Sequence, residues 1–228
     1  MKKDNKSQIV LKTENLSYRY KDAAKDEYVL KNINYEFENG KVYAIKGKSG
    51  SGKTTFLSLI SGLENKYEGK IFYENKDLKK MDLDLYRNSN IGIVFQSYNL
   101  LPHLTAIENI ILSMDISKVK VKDKKAKSIE LMKSVGLSSN LKDRRVLKLS
   151  GGEQQRVAIA RSLSYNPKII LADEPTGNLD KDTENEILDI FANLAHNENK
   201  CVIIVTHSEN VVNRADVVYE LKKQKTDK

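Results

Sequence analysis

The chain has 228 residues, of which 39% are hydrophobic and 31% are charged, so it is long enough to bury a core and is not disordered as a whole. Lysine and arginine outnumber aspartate and glutamate by 39 to 31, and the net charge of +8 favours an anionic partner such as a nucleotide, a nucleic acid or an anionic membrane face. Apolar runs such as 202–205 are far shorter than the ~18 residues that cross a bilayer, and no apolar signal region follows the lysine-rich residues 1–6. We therefore expect one domain, 1–228, that stays in the cytoplasm and has no membrane span.

The first elements have the pattern of half-buried antiparallel strands. Apolar and polar residues alternate over 9–20 and again over 33–37. The polar residues 21–27 between them predict a loop. A short apolar run at 42–45 predicts a further strand, and 54–60 has the spacing of a helix.

Between that strand and that helix lies a glycine-rich segment, residues 47–54, which reads GKSGSGKT. Its glycines allow backbone N–H groups to wrap a phosphate where a Cβ would obstruct the approach, and the following helix points its positive end at the same anion. A merely flexible glycine turn is the alternative. We predict that Lys53 contacts the β and γ phosphates of a nucleotide and that Thr54 offers its hydroxyl to Mg²⁺. The predicted nucleotide contacts in this segment are Gly47, Ser49, Gly50, Ser51, Gly52, Lys53, Thr54 and Thr55.

A helical insertion is predicted at about 97–150. Residues 71–73 and 91–95 are predicted strands, whereas 103–149 has helical spacing without strand signals. The lysine cluster at 118–127 inside it indicates a solvated helix start or loop, with a contact to anionic lipid or to a partner as the alternative.

The second half of the chain has the pattern of a parallel sheet. Residues 169–172 and 202–205 are short apolar runs of the fully buried kind, and a helical stretch at 183–195 joins them. Cys201 opens the second run and is predicted to be a core residue. The predicted fold class is α/β: a P-loop NTPase core with a mixed, largely parallel sheet, an N-terminal antiparallel β subdomain and the inserted helical subdomain.

Polar residues follow three of the predicted buried strands. Asp173 and Glu174 come at the end of one strand, where parallel α/β sheets bind their ligands; we predict that Asp173 holds Mg²⁺ through water and that Glu174 orients and deprotonates the attacking water. Gln96 ends a second strand and is assigned to sensing Mg²⁺ and water. His207 ends a third and is assigned to contacting the γ-phosphate. Helix caps or ordinary surface residues are the alternatives for all four.

A second anion site is predicted at the start of another helix. Residues 149–156 read LSGGEQQR and precede a helical stretch at 157–163. Ser150, Gly151 and Gly152 place a hydroxyl and bare backbone N–H groups at the N-terminus of that helix. The alternative is an ordinary N-cap with a flexible hinge.

With these motifs in this order, residues 16–221 resemble the nucleotide-binding subunit of an ATP-binding cassette (ABC) transporter. The resemblance implies that two such subunits pair head to tail around two Mg·ATP molecules. Ser150, Gly151, Gly152 and Glu153 would then touch the ATP of the opposing subunit. It also implies that Asp180 lies in the loop that crosses the dimer seam and that adenine stacks on Tyr20, for which a core tyrosine remains the alternative.

Two segments, 94–102 and 172–180, are similar to the subgroup that serves macrolide efflux, lipoprotein release and bacitracin-type resistance. This similarity implies an ATP-hydrolysing subunit, paired as a homodimer, that powers an exporter or a mechanotransmission complex. Such a subunit would sit on the inner face of the cell membrane against separate permease subunits and would not bind nucleic acid. Lys48 and Glu153 depart from the residues common in the family, proline and glutamine, but neither change removes a phosphate ligand. Residues 222–228 are predicted to be only a basic tail.

Two other classes of protein stay open. The net charge and the lysines at 118–127 fit a soluble DNA-repair or translation-linked ATPase of the same superfamily, although such proteins usually carry long coiled-coil insertions, zinc-binding cysteines or two cassettes. A scaffold that binds nucleotide without turnover is the other alternative. The sequence does not identify a transported molecule, because the residues that contact it would lie in the membrane subunits.

Overall fold

The computed structural model describes residues 8–22 and 27–224. The predicted lysine-rich start, most of the predicted loop at 21–27 and the last four residues of the basic tail lie outside these ranges. The strands of the described residues are, in chain order, β1 (Ile9–Tyr18), β2 (Leu30–Ile33), β3 (Glu36–Glu38), β4 (Val42–Lys46), β5 (Glu68–Tyr73), β6 (Lys76–Asp77), β7 (Ile91–Phe95), β8 (Ile169–Asp173), β9 (Cys201–Thr206) and β10 (Val217–Glu220). The α-helices are α1 (Lys53–Ile60), α2 (Leu83–Asn90), α3 (Ala106–Ile116), α4 (Lys124–Ser134), α5 (Gly151–Leu163), α6 (Lys181–His196) and α7 (Glu209–Arg214).

The strands form two separate sheets. In the first sheet, β1 pairs antiparallel with β2, β3 and β5, and β6 pairs antiparallel with β5. In the second, the order is β10-β4-β9-β8-β7 and every pairing is parallel. The predicted α/β class with an antiparallel N-terminal part is therefore confirmed, and the antiparallel strands lie in a sheet of their own.

The parallel sheet is buried on both faces. All six residues of β9 are buried, and they alternate between two apolar clusters. Val202 and Ile204 pack in a cluster with helices α3 to α6, whereas Cys201, Ile203 and Val205 pack in another with α1 and the antiparallel sheet. Cys201 is fully buried as predicted, and this burial raises the pKa of its thiol.

The segment predicted as a helical insertion contains α3 and α4, which are followed by two short 3-10 helices, Ser139–Leu141 and Val146–Lys148. Helix α3 starts at a capping box in which Thr105 and Glu108 each accept a hydrogen bond from the other's backbone N–H. The lysine cluster spans the exposed link between the two helices and the first turns of α4, where Lys124 pairs with Asp115 and Lys127 with Glu130. The bounds 97–150 stay a prediction.

A strained turn joins β7 to this segment. Tyr98 and Asn99 both have left-handed backbone conformations, with φ of 59° and 49°. Arg161 of α5 donates to the carbonyl oxygens of both residues, that of Tyr98 at 2.9 Å. Burial lowers the pKa of Arg161. The arginine therefore ties the end of β7 to helix α5.

Several elements differ from the sequence-based expectation. Helix α5 is not among them, since it begins at Gly151 with Ser150 as its N-cap in a capping box, as expected for Ser150 at the N-terminus of this helix. Helix α2 was not predicted, since its sequence, LDLYRNSN, is mostly polar and starts from an Asp82 cap. The short elements α7 and β10 were also missed. In the described ranges, no helix has the length and apolar character that crossing a membrane requires.

Candidate nucleotide-binding site

The carboxyl ends of four parallel strands meet at one edge of the central sheet. Lys46 at the end of β4 is level with Thr206 at the end of β9. Asp173 at the end of β8 is level with Phe95 of β7 and with Val205 of β9. The residues that follow these strand ends are therefore brought together, at the place where open α/β sheets bind ligands.

The glycine-rich loop after β4 needs its glycines for two different reasons. Gly50 and Gly52 have left-handed backbones, with φ of 74° and 90°, which L side chains rarely adopt. Gly47 needs space instead: a Cβ there would lie 2.3 Å from Ser51 Oγ and 2.7 Å from the Leu221 carbonyl oxygen. Helix α1 starts directly after Gly52, so the N–H groups of its first turn lack intrahelical acceptors and favour an anion.

Lys53 and Thr54 extend from the first turn of α1. The Lys53 amine donates to the Gly47 carbonyl at 2.9 Å and lies 3.7 Å from Glu174 Oε1. The Thr54 hydroxyl donates to Asp173 Oδ1 at 3.4 Å. Burial raises the pKa of Asp173, against the opposing effects of the Thr54 hydroxyl and the Lys53 charge, so a cation placed beside this carboxylate would favour its ionised form.

Glu174 is held from three sides. Its Oε2 accepts from Thr206 Oγ1 at 3.0 Å and from the His207 backbone N–H at 3.2 Å, and its Oε1 lies 2.8 Å from His207 Nδ1. Its backbone is left-handed, with φ of 45°, a conformation that costs roughly 1–3 kcal/mol in a non-glycine residue and persists where the surroundings enforce it. Thr206 was not singled out from the sequence, although its place directly before His207 was a signal that could have found it.

Gln96 lies against the loop that follows Glu174. Its Nε2 donates to Asn178 Oδ1 at 3.3 Å, and Asn178 Nδ2 donates to the Gln96 carbonyl at 3.4 Å. A Cβ on Gly177 would lie 2.7 Å from the Gln96 amide nitrogen. Asn178 is therefore a second residue, after Thr206, whose contact with the site the sequence does not indicate.

These groups surround one open cavity of about 540 Å³. It brings together eight of the predicted nucleotide or metal residues with Glu174 and His207. The lining residues are Ser49, Gly50, Gly52, Lys53, Thr54, Thr55, Gln96, Asp173, Glu174 and His207. Gly47 and Ser51 of the same loop are buried and are not among the lining residues; the Ser51 N–H donates to the Lys48 carbonyl at 3.1 Å, and their contact with a nucleotide stays a prediction.

The predicted second anion site lies at the tip of α5. The Ser150 hydroxyl accepts from the Glu153 N–H at 3.3 Å, and a Glu153 carboxylate oxygen accepts from the Ser150 N–H at 2.7 Å. Ser150 is exposed, and Gly151 and Gly152 are half-buried. Within residues 8–22 and 27–224, this tip contributes nothing to the lining of the cavity.

The two glycines of the tip also have a packing role in their own chain. A Cβ on Gly151 would lie 3.0 Å from the Tyr98 hydroxyl, and one on Gly152 would lie 2.5 Å from Thr183 Cγ2. The tip is therefore fitted closely against the Tyr98 turn and helix α6 while Ser150 faces outward.

Asp180 caps helix α6 and does not line the cavity. Its carboxylate accepts from the N–H groups of Asp182 and Thr183, at 3.1 and 3.0 Å, and from the Thr183 hydroxyl at 2.7 Å. These bonds, those of Thr183 above all, lower the pKa of Asp180.

Tyr20 lies beside the cavity. Tyr20 is 55% exposed, so the alternative that it is a core tyrosine is wrong. Its hydroxyl is 3.1 Å from Thr55 Oγ1, and its ring meets that of Tyr18 edge to face at 5.3 Å. An exposed aromatic face next to the phosphate loop is suited to stacking with a base.

The donors around the cavity fit a magnesium-bound triphosphate. Left-handed glycines and a helix start supply N–H groups, and Lys53 supplies a positive charge. The Thr54 hydroxyl, the Asp173 carboxylate and the Gln96 amide supply hard oxygen ligands, which Mg²⁺ takes together with substrate phosphates. A strand, a glycine-rich loop and a helix, with carboxylates at the end of another strand of the same parallel sheet, define the class of P-loop nucleoside triphosphatases.

Comparison with known proteins gives the family within that class. The family model described as "ABC transporter" matches residues 30–177. An uncharacterized ABC transporter ATP-binding protein, YclH of Bacillus subtilis, is 44% identical over 214 residues, covering 94% of each chain. The lipoprotein-releasing system ATP-binding protein LolD of Francisella tularensis is 39% identical over 219 residues, covering 93% of this chain and 94% of its own. The chain belongs to the ABC transporter family and is an ATP-binding ATPase subunit of that family.

Solved structures agree with this placement. A bacterial ABC transporter cassette, MJ0796, solved as a dimer, has a TM-score of 0.85 at 36% identity and covers 96% of this chain and 97% of its own. The same cassette in a post-hydrolysis state bound to ADP and Pi also has a TM-score of 0.85, at 35% identity, and covers 94% of this chain and 97% of its own.

Proposed function

We propose that this subunit works as an ATP-sandwiched, head-to-tail homodimer that powers a membrane exporter or a mechanotransmission complex. One observation carries the proposal. The chain has a phosphate cradle at Gly50–Lys53 and a second helix tip suited to anions at Ser150, and the tip does not reach the cradle of its own chain. A second copy, placed head to tail, supplies the missing cover for each nucleotide.

The residues of the cavity then take the following roles. The loop N–H groups and Lys53 bind the β and γ phosphates, while the ring of Tyr20 stacks with adenine. Thr54, Asp173 and Gln96 hold Mg²⁺, which neutralises charge on the phosphates when bound. Ser150, Gly151, Gly152 and Glu153 of one subunit contact the ATP of the other, and Asp180 lies at the seam. The roles of the cavity residues are supported by their position and donor chemistry, whereas those of Tyr20, of residues 150–153 and of Asp180 rest on the resemblance to ABC transporter subunits.

Glu174 is the general base in this mechanism. It accepts a proton from the water that attacks the γ-phosphate, and Thr206 and the His207 N–H hold its Oε2 while His207 Nδ1 faces Oε1. His207 is placed to contact the γ-phosphate with its other ring nitrogen. The Lys53 amine lies 3.7 Å from Glu174 Oε1, so the positive charge that binds the phosphates also faces the general base.

The membrane partner is also part of the proposal. The similarity to LolD, whose name refers to a lipoprotein-releasing system, and the subgroup-like segments 94–102 and 172–180 support a role with separate permease subunits at the inner face of the cell membrane. Leu101, which is 38% exposed near the strained Tyr98 turn, offers an apolar contact for such a partner. Nucleic acid is not an expected partner.

Glu174→Gln tests the sandwich. The amide cannot take the proton, so ATP hydrolysis should fall by at least about a hundredfold, while ATP with Mg²⁺ should shift the purified chain from monomer to dimer in size-exclusion chromatography. Lys53→Ala in the same background is the control and should remain a monomer with ATP. A Glu174→Gln chain that binds ATP and stays monomeric would refute the sandwich.

The membrane role has its own test. The tagged full chain, purified from a detergent extract of its cells, should retain a multispan membrane protein, and a Leu101→Glu variant should retain less of it. Binding to nucleic acid that weakens with salt and stimulates hydrolysis would instead support the other class of ATPase.

A further inference from the structure

A single carboxylate oxygen joins the two segments that flank the cavity. Glu184 Oε1, in the first turns of α6, accepts hydrogen bonds from Thr176 Oγ1 at 3.1 Å and from Ser208 Oγ at 3.0 Å. Thr176 belongs to the loop between Glu174 and Asp180, and Ser208 follows His207 directly. Residues 32 positions apart along the chain are therefore fixed to one atom.

Two further hydrogen bonds connect Ser208 to the proposed general base, Glu174. The Ser208 N–H donates to Thr206 Oγ1 at 2.9 Å, and Thr206 Oγ1 donates to Glu174 Oε2 at 3.0 Å. Thr176 and Thr206 are 5% and 1% exposed, so water competes weakly for these bonds and their geometry is well defined.

Ser208 uses its hydroxyl in an unusual way for its position. It is the N-cap residue of α7, and serine is favoured there because its side chain accepts from the helix N–H groups. In this structure its side chain makes no such cap bond and donates to Glu184 instead. The contact with Glu184 thus replaces a local stabilising bond.

We propose that Glu184 is a positioning residue for ATP hydrolysis, which fixes the 174–180 loop relative to the end of β9 and so couples the placement of Glu174 and His207 to that of Asp180. The inference rests on the proposed function, because it takes Glu174 as the base and Asp180 as a seam residue. Glu184 itself does not line the cavity. Its loss should therefore change turnover while nucleotide binding is retained.

The role requires an acceptor oxygen rather than a negative charge. Both bonds to Glu184 Oε1 come from hydroxyl groups, and the carbonyl oxygen of a glutamine has two lone pairs that can accept both. Glutamine at position 184 should therefore preserve the turnover rate, whereas alanine should not. A helix-stabilising effect of the charge near the start of α6 would instead be lost equally in both variants.

The test is steady-state ATPase kinetics on the full-length chain. Glu184→Ala should lower kcat about tenfold, equivalent to ~1.4 kcal/mol of barrier, with KM within about twofold. Glu184→Gln should stay within about twofold of the wild type in both constants. Glu198→Ala, which removes an exposed glutamate beyond the end of α6, is the charge-matched control and should keep wild-type kinetics.

The double variant Thr176→Val with Ser208→Ala removes both donors and leaves Glu184 in place. It should reproduce the kcat of Glu184→Ala, and adding Glu184→Ala to it should lower kcat no further, since all three residues act through one atom. This variant also serves if Glu184→Ala fails to fold by circular dichroism.

Three results would overturn the inference: Glu184→Ala turning over ATP like Glu198→Ala, Glu184→Gln being as slow as Glu184→Ala, or a raised KM with unchanged kcat. If these occur while Glu174→Gln still traps an ATP dimer, the proposed function stands and only the role of Glu184 fails. If Glu174→Gln forms no dimer, the sandwich fails whatever the Glu184 variants do.

Discussion

The substitution Gly47→Ala tests whether the phosphate loop requires space at this position. The added Cβ would lie 2.3 Å from Ser51 Oγ and 2.7 Å from the Leu221 carbonyl oxygen. The Ser51 side chain can rotate away. The Leu221 oxygen cannot, because it belongs to the main chain and the Leu221 N–H donates to the Lys46 carbonyl at 2.8 Å. The loop itself must therefore move.

The cost of this movement follows from the overlap. Overpacking of this kind typically destabilises a protein by about 1–3 kcal/mol, which in a chain of this size lowers the melting temperature by roughly 2–12 °C. The Gly47 carbonyl also accepts the 2.9 Å bond from the Lys53 amine, so a shifted loop misplaces that amine. A misplacement of ~1 Å can cost a hundredfold in catalytic rate. With the Lys53 amine displaced from the phosphates, we expect ATP affinity to fall as well, by at least about tenfold.

Gly50 provides the matched comparison, because its constraint is conformational. A Cβ at Gly50 would meet no atom within 4 Å, but the backbone φ is 74°. This left-handed conformation costs an alanine roughly 1–2 kcal/mol and an asparagine less. In thermal denaturation without nucleotide, Gly50→Asn should be more stable than Gly50→Ala, whereas Gly47→Asn should be less stable than Gly47→Ala. Titration with a fluorescent ATP analogue gives the affinities. A Gly47→Ala chain with wild-type stability and affinity would refute the steric reasoning.

Two further predictions concern the scaffold. Arg161→Met keeps the apolar length of the side chain but leaves the carbonyls of residues 98–99 without their charged donor. The free energy of unfolding measured in urea should therefore fall by about 1–3 kcal/mol. An unchanged urea midpoint would show that water replaces the arginine. Burial raises the pKa of Asp216, but the Val42 N–H and His196 outweigh it, so the folded pKa lies below the unfolded one. The resulting stabilisation is complete above the unfolded value of ~3.9 and is lost as the pH falls through the folded value. Asp216→Asn should therefore lose less stability than the wild type between pH 5 and pH 3, and parallel losses would contradict this.

Much of the fold could be predicted because the decisive signals are local. The buried runs before Asp173 and His207, the alternation of β1 and the glycines of the phosphate loop each reflect a short-range requirement of burial or backbone conformation. Helix α2 lacked such a signal, since most of its polar residues are Asp, Asn and Ser, which have low helix propensity. Its Asp82 cap and its one buried residue, Tyr86, favour it.

The finer structure of the site depends on contacts between distant segments. The Glu184 bond to Ser208 spans 24 positions and the Gln96 bond to Asn178 spans 82, so neither has a periodicity that a single sequence displays. The loop motif likewise includes Ser51 without showing that its side chain turns inward against Gly47. Residue type predicted which chemistry gathers at the sheet edge, whereas packing decides which atoms face the cavity.

The separation of the α5 tip from the cavity has a genetic meaning under the proposed pairing. A chain damaged at Lys53 and a chain damaged at Ser150 would each be inactive alone, because every composite site in such a homodimer carries the same defect. Mixed pairs would contain one site made of two undamaged halves. Two loss-of-function alleles could then complement each other within one cell, and two alleles that damage the same half could not.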